Sequence, residues 1–149
     1  MADPLSIAAS VTALIAAARG IYRTLAAFTA SVTEAPAVVY DTLVGILQVR
    51  SALVEIERLV SDIENLPPAR RAMIRLDHIA VTFSETVLVL TQLEAVVMGV
   101  DGRGLRPGDP VIKKLWWVLS DRERKLAKIL PRLEAQKSCL MLMISVLNR

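Results

Sequence analysis

Seven apolar residues near the start of the chain, Ile7, Val11, Leu14, Ala18, Ile21, Leu25 and Phe28, recur with a stride that alternates four and three. Only a backbone turning about 100° per residue brings such positions onto one line, so the stride dictates an α-helix with a continuous seam for shallow packing against other helices. Asp3 is placed to cap the first free amides, and Pro4 has no amide to leave unsatisfied at the first helical position. The predicted helix runs from Pro4 to about Ser31. Arg19 and Arg23 fall on its far side, but in the first half that side is Ala9, Thr12 and Ala16. The helix therefore has no strongly polar face until its second half.

The rest of the chain repeats the pattern. Thr33 and Pro36 mark a second start, followed by a seam of Val39, Thr42, Ile46, Val49, Leu53, Ile56, Val60 and Ile63 that ends near Glu64, before Pro67 and Pro68. A third helix is expected from Pro68 to Met98, with Leu76, Ile79, Phe83, Leu90, Leu93 and Val97 inward and Val87 beside them. Gly99 offers it a left-handed cap. The glycine-containing stretch to Asp109 reads as a loop, and Gly102-Arg103-Gly104 lacks the strand and the Lys-Ser/Thr ending of a phosphate loop. A short helix over 110–119 carries the adjacent Trp116 and Trp117. Ser120 to Glu123 forms a capping box for a last helix through Leu126, Ile129, Leu133, Leu140, Met143, Ile144 and Leu147, with Pro131 inside it and expected to bend it.

A chain of 149 residues that is 54% hydrophobic but only 4% aromatic suits helices packed on helices in one domain. The expected fold is all-α, an antiparallel bundle of four long helices plus one short helix. Its charge is uneven. Glu34 to Leu66 is net acidic and Ser120 to Arg149 net basic, so the second and last helices are expected to suit one another as neighbours. With 18 Lys and Arg against 15 Asp and Glu, the totals give no reason to expect nucleic acid as a partner.

Leu5 to Ala18 is an uncharged apolar run, yet Asp3 stands where a secretory leader needs positive charge, and Arg19 interrupts the run before the roughly 20 residues a bilayer requires. A retained segment of a cytoplasmic domain is the better reading. Cys139 is the only cysteine and His78 the only histidine, which leaves no disulfide, no Cys/His metal site and no nucleophile with a base. His78 reads as a boundary residue and Cys139 as a small core residue. No catalytic residue, cofactor or metal site is assigned, and an enzyme is disfavoured. The cations Arg122, Arg124, Lys125, Lys128, Arg132 and Lys137 read first as a solvated helix face. Their alternative is a face for anionic lipid or an acidic partner, worth on the order of 1 kcal/mol per cation at a charged membrane.

The opening Met-Ala-Asp-Pro-Leu-Ser-Ile-Ala-Ala-Ser-Val, with Arg132-Leu133-Glu134-Ala135-Gln136-Lys137-Ser138-Cys139-Leu140 near the end, resembles the fungal N-terminal domain of STAND proteins, a HeLo-like family. The order of parts fits as well: acidic second helix, proline break, glycine-rich loop, tryptophan-bearing short helix and basic final helix. The resemblance implies the N-terminal domain of a longer NOD-like receptor or related signalling protein, acting in heterokaryon incompatibility or programmed cell death. It also implies a cytoplasmic protein that moves to the plasma membrane, meets anionic lipids on activation and inserts its first helix when oligomerised. Carried onto this chain, the inserting residues are Leu5, Ile7, Val11, Leu14 and Ile15, with Asp3 as the leading polar cap. Homo-oligomers or dimers and other helical signalling domains are the remaining expected partners. A non-lytic helical interaction module is the alternative function.

Overall fold

The computed structural model describes residues 4–31, 35–63, 65–72, 76–98 and 122–148, and all the regular structure among them is helical. Among the described residues the helical segments are α1 (Pro4–Ser31), α2 (Ala37–Ile63), α3 (Pro68–Ala72), α4 (Leu76–Met98) and α5 (Arg122–Leu147). Four of them are long, about 35 to 42 Å at 1.5 Å per residue. The expected caps at Asp3, Thr33, Gly99 and Ser120, the loop that follows Met98 and the tryptophan-bearing helix lie outside the described residues.

Helix ends follow the local chemistry. Pro4 opens α1 as the first helical residue. Pro36 stands just before α2, where its carbonyl accepts the Val39 amide at 3.0 Å. The far end of α2 closes with Asn65 N–H to Asp62 O and Leu66 N–H to Ile63 O, both 3.1 Å, before Pro67 stops the chain from continuing. One helix was expected from Pro68 to Met98; helix is described at both ends of that span, as α3 and α4, and residues 73–75 between them lie outside the described residues. Pro68, Ala69 and Arg70 are exposed, and the buried seam of α4 is described from Ile79 onward.

The seams predicted from periodicity are the core. All seven α1 positions from Ile7 to Phe28 are buried, as are the eight of α2, and Gly45 and Ala52 join them. In α4, Ile79, Phe83, Leu90, Leu93 and Val97 are buried with Thr86 and Val89, whereas Val87 is exposed. In α5, Leu126, Ile129, Leu133 and Leu140 are buried, and Met143, Ile144 and Leu147 are half-buried against the same cluster. Buried threonines donate to the carbonyl one turn back, Thr42 to Val38 at 2.6 Å and Thr86 to Thr82 at 2.8 Å.

Helix α1 packs on α2 and α4, and α5 packs on the same two. Thr12 meets Glu57 at 3.1 Å across a short connection, so α1 and α2 run in opposite directions. Thr86 with Gln136 and Gln92 with Arg132 make α4 and α5 antiparallel too. By contrast, Gly45 approaches Leu133 and Gln48 accepts from Lys137, so α2 and α5 lie side by side in the same direction. That approach is close: a Cβ on Gly45 would stand 2.9 Å from Leu133 Cδ2. Pro131 lies within a continuous α5 on its exposed side, where water can serve the carbonyl that has lost its amide partner.

Candidate functional site

Two features of the sequence ask for a place in the structure: the apolar first half of α1 and the cations of the last helix. In α1, Ile7 and Leu14 are 3% exposed and Val11 is fully buried. Ile15 is half-buried against the core. Asp3 and the side chain of Leu5 lie outside the described residues. Of the inserting residues expected from the resemblance, Ile7, Val11 and Leu14 are therefore residues that hold α1 in the bundle, with Ile15 packed beside them. What α1 shows to solvent over the same turns is Ser6, Ala9, Ser10, Thr12, Ala13 and Ala16, and the first exposed charge is Arg19, followed by Arg23. Ser10 and Thr12 donate their hydroxyls to the carbonyls of Ser6 and Ala8, at 3.0 and 2.9 Å, which lowers the polarity of that face further.

Among the described residues, three helical segments are long and apolar enough to cross a membrane by length and composition: Ser6–Ala30, Ala37–Ile63 and Asp77–Val97. The first includes Arg19 and Arg23, so the interruption at Arg19 does not take the helix as a whole below spanning length and hydropathy. The second and third were missed by a reading that looked for uncharged runs, because α2 and α4 dilute their charges among Val, Leu and Ile. Each of the three also supplies one wall of the core, so its apolar content is first a packing requirement.

The basic set is divided by the structure. At about 100° per residue, Arg124, Lys125, Lys128 and Arg132 fall on one side of α5 and Lys137 on the other. Lys125 and Lys128 are exposed. Arg132 donates to Gln92 Oε1 of α4 at 2.6 Å. Lys137 faces α2, where it donates to Gln48 Oε1 at 3.0 Å and pairs with Glu134 of its own helix at 2.7 Å. The Arg122 side chain lies outside the described residues. Helices α2 and α5 are neighbours as expected, but the contact described between their polar groups is this hydrogen bond from Lys137 to Gln48. Two acids of α2 find their partner in Arg58, which bonds Glu55 through Nε at 3.2 Å and approaches Asp62 at 3.8 Å. The hydrogen bond from Arg58 holds the Glu55 carboxyl below its ordinary pKa, and Glu55 in turn holds the guanidinium proton more tightly.

The cations and the first helix are not brought together. Register places Lys128 level with the start of α2, near Tyr40, whereas Thr12 is level with Glu57, about 25 Å along the bundle. Moreover, α1 and α5 each lie against α2 and α4 rather than broadly against one another.

Cys139 is exposed, not part of the core. The stripe Leu126, Ile129, Leu133 and Leu140 passes through position 136 and leaves 139 about 100° away. The residue on the stripe is Gln136, 8% exposed, which sequence reasoning missed. Its Oε1 accepts from Thr86 at 2.9 Å and its Nε2 faces Glu85 Oε2 at 3.5 Å. Only the amide nitrogen can face a carboxylate favourably, which fixes the orientation of the group. His78 is exposed. Among the described residues, no cluster of His, Cys, Asp and Glu is placed to hold a metal ion.

No protein-family model, curated protein or solved structure matches this chain.

Proposed function

We propose that this chain is the N-terminal effector domain of a fungal NOD-like receptor or related signalling protein, which targets the membrane through α1 and induces programmed cell death. The fold that goes with this reading is a HeLo-like bundle of four long helices. The supporting observation is the two-sided character of α1: from Ser6 to Ala18 its inner face is core and its outer face carries no charge. An ordinary surface helix sets a charged face against its apolar one. Here the outer face adds little to the cost of entering lipid, because Ala, Ser and Thr with internally bonded hydroxyls are tolerated there.

Release is costly in the resting state. Burial of a large aliphatic side chain is worth about 1.5–3 kcal/mol, so the seam of α1 contributes on the order of 10 kcal/mol, comparable to the stability of a whole domain. The helix leaves only when lipid or neighbouring copies replace what the bundle provides. Deleting residues 1–15 is therefore a poor test, since it takes Ile7, Val11 and Leu14 out of the core.

A tether is cleaner. Cysteines replacing Thr12 and Glu57, in a Cys139→Ser background and joined by a disulfide-containing bifunctional maleimide, would tie α1 to α2 where these side chains already meet. Clustered protein is expected to release dye from anionic vesicles when the bridge is reduced and not when it is oxidised. Equal leakage in both states sinks the proposal. The alternative, a non-lytic helical interaction module, is favoured by one observation: α2 exposes Tyr40, Val44, Leu47 and Val54 along its outer side.

A further inference from the structure

Helix α2 carries two seams. One is core. The other, Tyr40, Val44, Leu47, Ser51 and Val54, repeats the four-three stride on the solvent side, and its four apolar members are between 39% and 54% exposed. A stride of this kind marks a seam for another helix. At about 100° per residue, Glu55 and Asp62 fall within the same arc toward the C-terminal end, and with Arg58 between them they leave that end net negative. Along its edge, Leu47 and Ser51 continue into an open groove of about 660 Å³ bordered on the other side by Met141 and Ile144.

The outer side of α5 has the complementary order. Lys125, Lys128 and Arg132 occupy its N-terminal part. Leu142 and Val146, 70% and 61% exposed, occupy its C-terminal part. Ala135 and Cys139, small and exposed, lie between them. Spacing agrees to about one helical turn: the acidic group and the four apolar residues of α2 are centred about 18 Å apart, and the basic and apolar groups of α5 about 24 Å apart. With the two helices antiparallel, acids meet cations and apolar groups meet one another.

We propose that the outer face of α5 on one copy of this chain docks antiparallel on the outer seam of α2 of a second copy. The two faces differ, so the contact is head-to-tail, and each added copy leaves one α2 face and one α5 face open for further growth or ring closure. The contact forms in solution and does not depend on the membrane reading.

Because the faces are different, two blocked variants test it. Val44→Lys with Leu47→Lys blocks the α2 face, and Lys128→Glu with Leu142→Glu blocks the α5 face. Sedimentation velocity of the full chain is expected to show self-association that weakens with added salt, and each variant alone to associate at least about tenfold less. An equimolar mixture of the two is expected to form a dimer that grows no further, since it holds one intact pair of faces. Circular dichroism checks that both fold. Where a double variant does not, Val44→Ser and Leu142→Ser replace it, with a severalfold loss expected. Three results overturn the proposal. One is a monomer at every concentration, including a wild-type monomer whose variants lose only vesicle binding. Another is a mixture that stays monomeric. The third is association lost in the α2 variant but kept in the α5 variant, which means that α2 pairs with α2.

Discussion

Gln136 and Thr86 show how much one buried polar pair can ask of its neighbours. The Thr86 hydroxyl has a second acceptor in Thr82 O, whereas the Gln136 carbonyl has no such local substitute described. Removing the two members should therefore have unequal effects. Thr86→Val strands a buried amide oxygen and is expected to cost about 1–3 kcal/mol, while Gln136→Leu leaves Thr86 satisfied and is expected to be neutral within about 1 kcal/mol or stabilising. Urea unfolding of both variants checks this. Gly45→Val is expected to cost about 2 kcal/mol or more, since Leu133 fills the space a side chain would need. For Glu55, Arg58→Ala should return the carboxyl titration to its ordinary range by carbon-13 NMR. The lowered value means that the bond stabilises above the unfolded carboxylate pKa and is lost as pH falls through the folded one. Both groups are exposed, so the unfolding midpoint should scarcely move. Seam residues such as Ile7 and Ile63 were legible because apolar and polar positions alternate with a clear period around them. Cys139 and Gln136 were not, because 139–147 is apolar on nearly every side and offers the eye no contrast. The stripe from Leu133 to Leu140 held the answer at position 136.

At the scale of elements, α1 and α5 divide their roles along their length. The first half of α1 lacks exposed charge and the second half carries Arg19 and Arg23, while the first half of α5 is basic and its last turns are apolar. Substitutions on the two sides of α1 should separate folding from any membrane activity. Val11→Asp places a charge in the core and is expected to unfold the domain. Ala13→Glu, on the exposed side, should leave the thermal midpoint within a few degrees, given the small difference in helix propensity, and abolish vesicle leakage. Leakage unchanged by Ala13→Glu would remove the outer face of α1 from the mechanism. The ends of elements were less legible than their middles. Prolines located the breaks at Pro4, Pro36 and Pro67 to within a residue, whereas the ends marked by capping residues alone, at Gly99 and Ser120, lie outside the described residues.

At the scale of the molecule, the neighbours of each helix follow from tertiary contacts that periodicity does not encode. A seam says that a helix has a partner, not which one, so the parallel pairing of α2 with α5 could not be read from either seam alone. The same pairing sets the start of α1 and the finish of α5 at one end of the bundle, since both are level with the C-terminal end of α2. Fluorophores on Ser6 and Asn148, both exposed, would thus begin within about 20 Å of one another, two helix diameters at most. If α1 swings out, they part by up to its own length, about 40 Å. The fold has in effect built the two arms of an optical ruler, one that reads the departure of a single helix without any membrane in the sample.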